Sequence, residues 1–180
     1  MKKFLTLAIA FVATITASAE GWYAGGSVGF DRNTTDNKTE VIIMPEIGYN
    51  FTEKAAIGAT IGYDHKYDNG DKLDLFKVSP YLRYTFLKAG IVNLFVDGGV
   101  DVGIGHSKAL YGGSGAAVVW GIGLKPGVSF NINEKFSLVA HIGFLGYQGA
   151  NHKARNVGEP NRIGLGLDSN DLSLGFYYHF

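Results

Sequence analysis

From Leu172 to Phe180 the side chains alternate without a break. Leu172, Leu174, Phe176, Tyr178 and Phe180 share one face, and Ser173, Gly175, Tyr177 and His179 share the other. A period of two places the two sets on opposite surfaces of a strand. The rhythm recurs along the chain and predicts eight strands: Gly21–Phe30, Glu40–Phe51, Ala55–Asp64, Leu73–Phe86, Ile91–Gly105, Ala116–Phe130, Phe136–Gly146 and Asp168–Phe180. In the fourth, Phe76, Val78, Pro80, Leu82, Tyr84 and Phe86 oppose Lys77, Ser79, Tyr81, Arg83 and Thr85. In the fifth, Val92, Leu94, Val96, Val100, Val102 and Ile104 oppose Asn93, Phe95, Asp97, Gly99, Asp101 and Gly103. Eight such strands must bury or solvate one whole apolar surface.

The N-terminus reads separately. Lys2 and Lys3 precede an apolar run from Phe4 to about Ile15, and Ala17-Ser18-Ala19 gives a small-residue cleavage pattern before Glu20. The pattern predicts a signal peptide over 1–19, cut between Ala19 and Glu20, and a single domain over 20–180. Its apolar core is short for a membrane anchor. Without its two lysines the chain carries 14 basic and 16 acidic residues, a charge of −2, so no basic excess points to nucleic acid. Cysteine is absent, which excludes disulfides, thiolate metal sites and a lipid-modified cysteine anchor. Beyond the signal no apolar run is long enough for a transmembrane helix. A membrane-spanning chain of this kind must close into a barrel, because lipid offers an open strand edge no partner.

The connections alternate in length. Thr52–Lys54, Leu87–Gly90 and Asn131–Lys135 are short; Asp31–Thr39, His65–Lys72, His106–Gly115 and Tyr147–Leu167 are longer and polar. Short turns at one end and long loops at the other are the outer-membrane pattern. With an even strand count, both termini lie on the periplasmic side. Trp22, Tyr49, Phe51, Tyr84, Phe86, Phe130, Phe136, Tyr178 and Phe180 then gather at the turn end. Phe30, Tyr63, Phe76 and Phe144 gather near the loop end. Two aromatic girdles around an apolar band predict that the apolar face meets lipid.

The opening run Trp22-Tyr23-Ala24-Gly25-Gly26-Ser27-Val28-Gly29-Phe30 resembles the first strand of the OmpA/OmpX-type small outer-membrane β-barrels. The run Leu174-Gly175-Phe176-Tyr177-Tyr178-His179-Phe180 resembles their closing strand. The resemblance implies an all-β, eight-stranded antiparallel up-and-down transmembrane barrel in the cell outer membrane. It implies that Phe176, Tyr178 and the terminal Phe180 act as an insertion signal for the barrel-assembly machinery. Periplasmic chaperones during biogenesis, and outer-membrane lipids and lipopolysaccharide afterwards, are the implied partners. The resemblance covers the barrel alone and is not expected to extend to the periplasmic domain of full-length OmpA-type proteins, so a peptidoglycan role is not implied.

The inward faces collect Glu46, Lys77, Arg83, Asp97, Asp101 and Lys125, three acids and three bases, with His141, His179, Tyr23, Tyr81 and Tyr177 beside them. Matched signs predict a lumen charge network that fills and fixes the bore, since an eight-stranded interior is only wide enough for side chains. The other reading is a narrow conduit, with inward glycines such as Gly48, Gly58, Gly99, Gly127 and Gly143 leaving room for water.

Catalytic and metal patterns are poor. The lipid A deacylases of this architecture carry His-x-Ser on a strand, whereas His141-Ile142-Gly143 has glycine in place of the serine. His106 and Ser107 are adjacent and would point to opposite faces. His65, His106 and His152 read as solvated loop residues without metal-ligand spacing. Tyr67-Asp68-Asn69-Gly70-Asp71 reads as an Asn-Gly turn rather than a calcium loop. No cofactor is expected. The leading expectation is a structural or surface-interaction barrel, ahead of a narrow porin, a lipid A-modifying enzyme and a soluble lipocalin-like barrel.

Overall fold

The computed structural model describes residues 21–110, 113–159, 161–166 and 172–180; the expected signal peptide and the expected cut between Ala19 and Glu20 lie outside them. The chain forms β1 (Trp22–Asn33), β2 (Lys38–Asn50), β3 (Ala55–Asp68), β4 (Asp71–Ala89), β5 (Val92–Ala109), β6 (Gly113–Asn131), β7 (Phe136–Ile142), β8 (Phe144–Ala150), the one-turn helix α1 (His152–Arg155), β9 (Arg162–Gly166) and β10 (Leu172–His179). Each strand pairs antiparallel with its neighbours, and β1 pairs with β10 to close the sheet. β7 and β8 both pair with β6, and β9 and β10 pair with β8 and β7. They are halves of two composite strands, so the wall is an eight-stranded closed barrel.

The apolar face of the alternation points outward. Ile57, Leu82, Phe86, Ile104, Ile122 and Leu174 are all exposed on the outer wall, while Tyr23, Phe95, Leu73, Leu75, Asp64 and Ser107 are fully buried inside. That inversion suits a barrel whose solvent on the outside is lipid. Among the described residues no helix is long and apolar enough to cross a membrane.

The long connections are shorter than expected because the strands run on into them. β3 and β4 meet at Asn69-Gly70, both at positive φ (44° and 107°), the Asn-Gly hairpin turn that matches strand twist. His65 and His106 therefore sit on β3 and β5 rather than in loops, and His152 is on α1. The fourth connection, expected as one loop from Tyr147 to Leu167, is instead the end of β8, α1 and β9. The expected strand start at Asp168 lies outside the described residues; β10 begins at Leu172.

The seventh strand is also not continuous. Gly127 pairs with His141 and Leu124 with Leu145, so three steps on β6 oppose four on its partner. The extra residue is a bulge at Gly143, whose φ is 83°. The bulge resets the alternation. Phe144, expected in the loop-end girdle, turns inward and is 4% exposed, its ring lying against Gly123 and Gly146. Tyr63 and Phe76 do face outward. A β-branched residue is badly strained at this φ, so Gly143→Val should destabilise the barrel by about 1–3 kcal/mol. The unfolding midpoint of the heat-modifiable gel band measures it, and an unchanged midpoint would count against the bulge.

Three prolines interrupt the ladders in a regular way. Pro45, Pro80 and Pro126 lie mid-strand on β2, β4 and β6, in register with Gly26, Ala59 and Val96 of the preceding strands. Pairing with the following strand skips each one: β2–β3 has no Met44 or Pro45 pair, β4–β5 no Ser79 or Pro80 pair, and β6 has no Lys125 or Pro126 pair with β7 or β8. Proline has no N–H to give that ladder.

Candidate functional site: the barrel lumen

Arg83 stands at the centre of the turn-end half of the lumen. Its place on β4 puts it opposite Asp97 of β5. Nε donates to Asp97 Oδ1 and Nη2 to Asp97 Oδ2, both at 2.7 Å, a bidentate fork. Nη2 also reaches Tyr177 Oη at 3.1 Å and Glu46 Oε1 at 3.5 Å. The guanidinium lies 4.1 Å from the centre of the Phe95 ring and 5.1–5.7 Å from those of Tyr81, Tyr177 and Tyr23. Flat cations favour such faces.

The two carboxylates are held from several sides. Glu46 Oε1 accepts from Tyr177 Oη at 2.7 Å and from the Tyr81 hydroxyl, and Tyr81 in turn bonds Tyr23 Oη at 2.6 Å. Asp97 Oδ2 is 2.8 Å from His141 Nε2. Side-chain exposure of Arg83, Glu46 and Asp97 is only 10%, 8% and 5%. Glycines on the neighbouring strands make room for the rings. A Cβ at Gly48 would fall on Tyr23, at Gly58 on Tyr81, and at Gly127 on Phe95. These inward glycines are therefore filled by aromatic rings. β1, β2, β4, β5, β7 and β10 all supply side chains to this layer.

The six inward charges do not meet as one group. Glu46, Arg83 and Asp97 form the layer just described. Lys125 pairs with Asp101 at 2.8 Å. Lys77 pairs at 2.6 Å with Asp64, a residue outside the expected set. The β3 alternation of Ala56, Gly58, Thr60, Gly62, Asp64 and Lys66 points to it once the strand is carried past Asp64. Nearer the loop end Lys66 bonds Glu159 at 2.8 Å and lies 3.5 Å from Glu40.

A second packed cluster sits at the loop end. Asn151 accepts from the Ala154 N–H at 3.0 Å and caps α1, while its amide donates to the Ala116 carbonyl at 2.9 Å. The turn is thereby bent into the mouth. Ala154 is fully buried in a cluster with Leu73, Leu75, Ala117 and Ala150, and Val157 and Val119 pack beside it. Gly115 lets the Lys153 stem lie across β6, because a Cβ there would come within 3.0 Å of it. Below the aromatic layer, toward the turns, a polar cup of about 230 Å3 opens between Asn50, Lys88, Asn93, Ser129, Ser137 and His179. Ser137 Oγ and His179 Nε2 are 2.9 Å apart there.

Of the closing-strand aromatics, Phe176 is exposed on the outer wall. Phe136 lies 5.2 Å, centre to centre, from Phe176 and from Tyr178, and Tyr178 lies 5.0 Å from Phe180. These rings form one staircase at the turn-end rim. Among the described residues no group of three or more His, Cys, Asp or Glu is placed to hold a metal.

The sequence model of the outer membrane protein beta-barrel domain matches residues 4–180. No curated protein matches the chain closely enough to count as a relative. Among solved structures, the N-terminal β-barrel domain of Pseudomonas aeruginosa OprF is similar at 15% identity and TM-score 0.57, over 91% of this chain and 100% of that one. Neisserial surface protein A is similar at 16% identity and TM-score 0.53, with the same coverage.

Proposed function

The chain belongs to the outer membrane protein beta-barrel domain family, and on that premise we propose that it is a structural, surface-interacting barrel of the outer membrane whose bore is closed. The long-loop end faces outward from the cell and the turn end, with both termini, faces the periplasm. The observation that carries the closed bore is the Arg83 layer: one buried cation bonded to two carboxylates and enclosed by four aromatic rings. Such a network holds side chains from several strands in one arrangement. With the lumen occupied, the extended outer hairpins and the α1 turn are the parts free to meet other molecules.

Planar-bilayer recording tests this directly. The purified barrel should give a closed baseline, and large stable openings would defeat it. The porin alternative draws on the polar cup and on the Lys125–Asp101 pair, whose side chains are 39% and 24% exposed. It predicts small cation or anion currents that respond to Lys125→Gln.

A further inference from the structure

The polar cup beneath the aromatic layer is walled by cross-strand pairs. Asn93 of β5 lies opposite Ser129 of β6, and Asn93 Nδ2 donates to Ser129 Oγ at 3.2 Å. Asn131 of β6 lies opposite Ser137 of β7, and Ser137 Oγ donates to Asn131 Oδ1 at 2.9 Å. Asn50 Nδ2 donates to the Gly21 carbonyl at 3.1 Å. Each bond fixes one end of an amide and leaves the other end free. Asn93 Oδ1, Asn50 Oδ1, Asn131 Nδ2 and the Thr85 hydroxyl have no partner among the described residues.

The cup offers no uncommitted charge. Arg83 in its floor is held by Asp97 and Glu46. Lys88 and Glu53 stand at the rim, 4.0 Å apart and of opposite sign, with side chains 46% and 92% exposed. An ion entering the cup would give up its water without gaining a counter-charge. A neutral ligand meets no such cost. The free groups are acceptors, on Asn93 and Asn50, and a donor, on Asn131, with Thr85 able to act as either. A hydroxyl both donates and accepts, so a ring that carries several hydroxyls satisfies both kinds. The rings of Tyr23, Phe95 and Tyr177 close the floor, and the space of about 230 Å3 suits one such ring.

We infer that this cup is a binding site for a free, uncharged polyol of monosaccharide size. Asn93 Oδ1 and Asn50 Oδ1 take protons from its hydroxyls, Asn131 Nδ2 donates to a hydroxyl oxygen, and Thr85 completes the set. The intramural bonds to Ser129, Ser137 and Gly21 hold the three amides in place before the ligand arrives, so little side-chain freedom is lost on binding. On the orientation proposed above, the cup opens to the periplasm. Binding needs neither that orientation nor a sealed bore, so failure of either leaves the site standing.

The test is an NMR titration of the isotope-labelled, intact barrel in lauryldimethylamine oxide, a detergent without a sugar head group. Glucose, N-acetylglucosamine and myo-inositol are the probes, and cyclohexylmethanol is the hydroxyl-poor control. At least one polyol should shift the amide signals of Asn93, Asn131 and their strand neighbours saturably, with a Kd on the order of millimolar. N93L/N131L should weaken that binding at least about tenfold, and T85V about threefold. S114A, at the other mouth, should bind like wild type. Should N93L/N131L fail to fold, T85V decides, since it removes a hydroxyl and keeps the shape of the side chain. Three results would each overturn the site. They are no saturable shift with any of the polyols, an equal shift with cyclohexylmethanol, and tighter, salt-sensitive binding of gluconate or glucosamine.

Discussion

Arg83→Met is expected to destabilise the barrel by about 3–5 kcal/mol, measured as the shift of the urea midpoint between its folded and heat-denatured gel bands. The side chain it removes is nearly isosteric in its stem, so packing loss is small. The cost arises from what remains. Asp97 keeps His141 but loses both arms of the guanidinium fork, and Glu46 keeps two tyrosine hydroxyls but loses its cation. Both stay in a layer less than a tenth exposed. Neutralising all three with Glu46→Gln, Arg83→Met and Asp97→Asn should recover most of the loss, because no buried charge is then left uncompensated. A single variant as stable as wild type would show that the layer is wet enough to screen its own charges. The same variant in a planar bilayer reports whether the layer also seals the bore.

Ala154→Glu should release the α1 turn while leaving the barrel wall intact. Ala154 is fully buried against Leu73, Leu75, Ala117 and Ala150, with no polar group in that cluster to receive a carboxylate. Burying an unpaired acid there costs several kcal/mol, so the one-turn helix should leave the mouth. Trypsin cleavage after Lys153 or Arg155 should rise by more than about tenfold, as cleavage follows the open population. Heat-modifiable migration should persist, since the wall ladders do not pass through α1. Unchanged cleavage would show that Asn151 and the Lys66–Glu159 pair hold the turn without the apolar seat.

Strand count was readable from the alternation and the connections between runs, closure from the lack of partners that lipid offers an open edge, and the outward apolar face from the aromatic residues gathered at the strand ends. Phe144 was not, because a single positive φ at Gly143 reverses the alternation after it and nothing in the local sequence sets Gly143 apart from the other strand glycines. Asp64 escaped for a different reason: it closes the expected third strand and the polar residues from His65 read as a loop, yet the strand continues to Asp68 and keeps Asp64 on its inward face. Grouping the lumen charges by sign predicted pairing but not partners. Which acid meets Lys77 is fixed by the β3–β4 register. The position of α1 is tertiary in origin, set by the reach of Asn151 to β6, and four residues carry no periodicity of their own.

The prolines of β2, β4 and β6 bear on the chain before it reaches its membrane. An exported barrel crosses the periplasm unfolded, carrying strands that are apolar on alternate positions and able to add to any exposed sheet edge. Pro45, Pro80 and Pro126 each place one missing donor in the middle of such a strand. Stacking against another copy would leave a gap in every added layer. In the finished barrel the gap always falls toward the following strand, where two register pairs are missing in each of three places. The same three residues thus deny a hydrogen-bond donor to any edge-to-edge stack of these strands, at positions where the folded wall tolerates them.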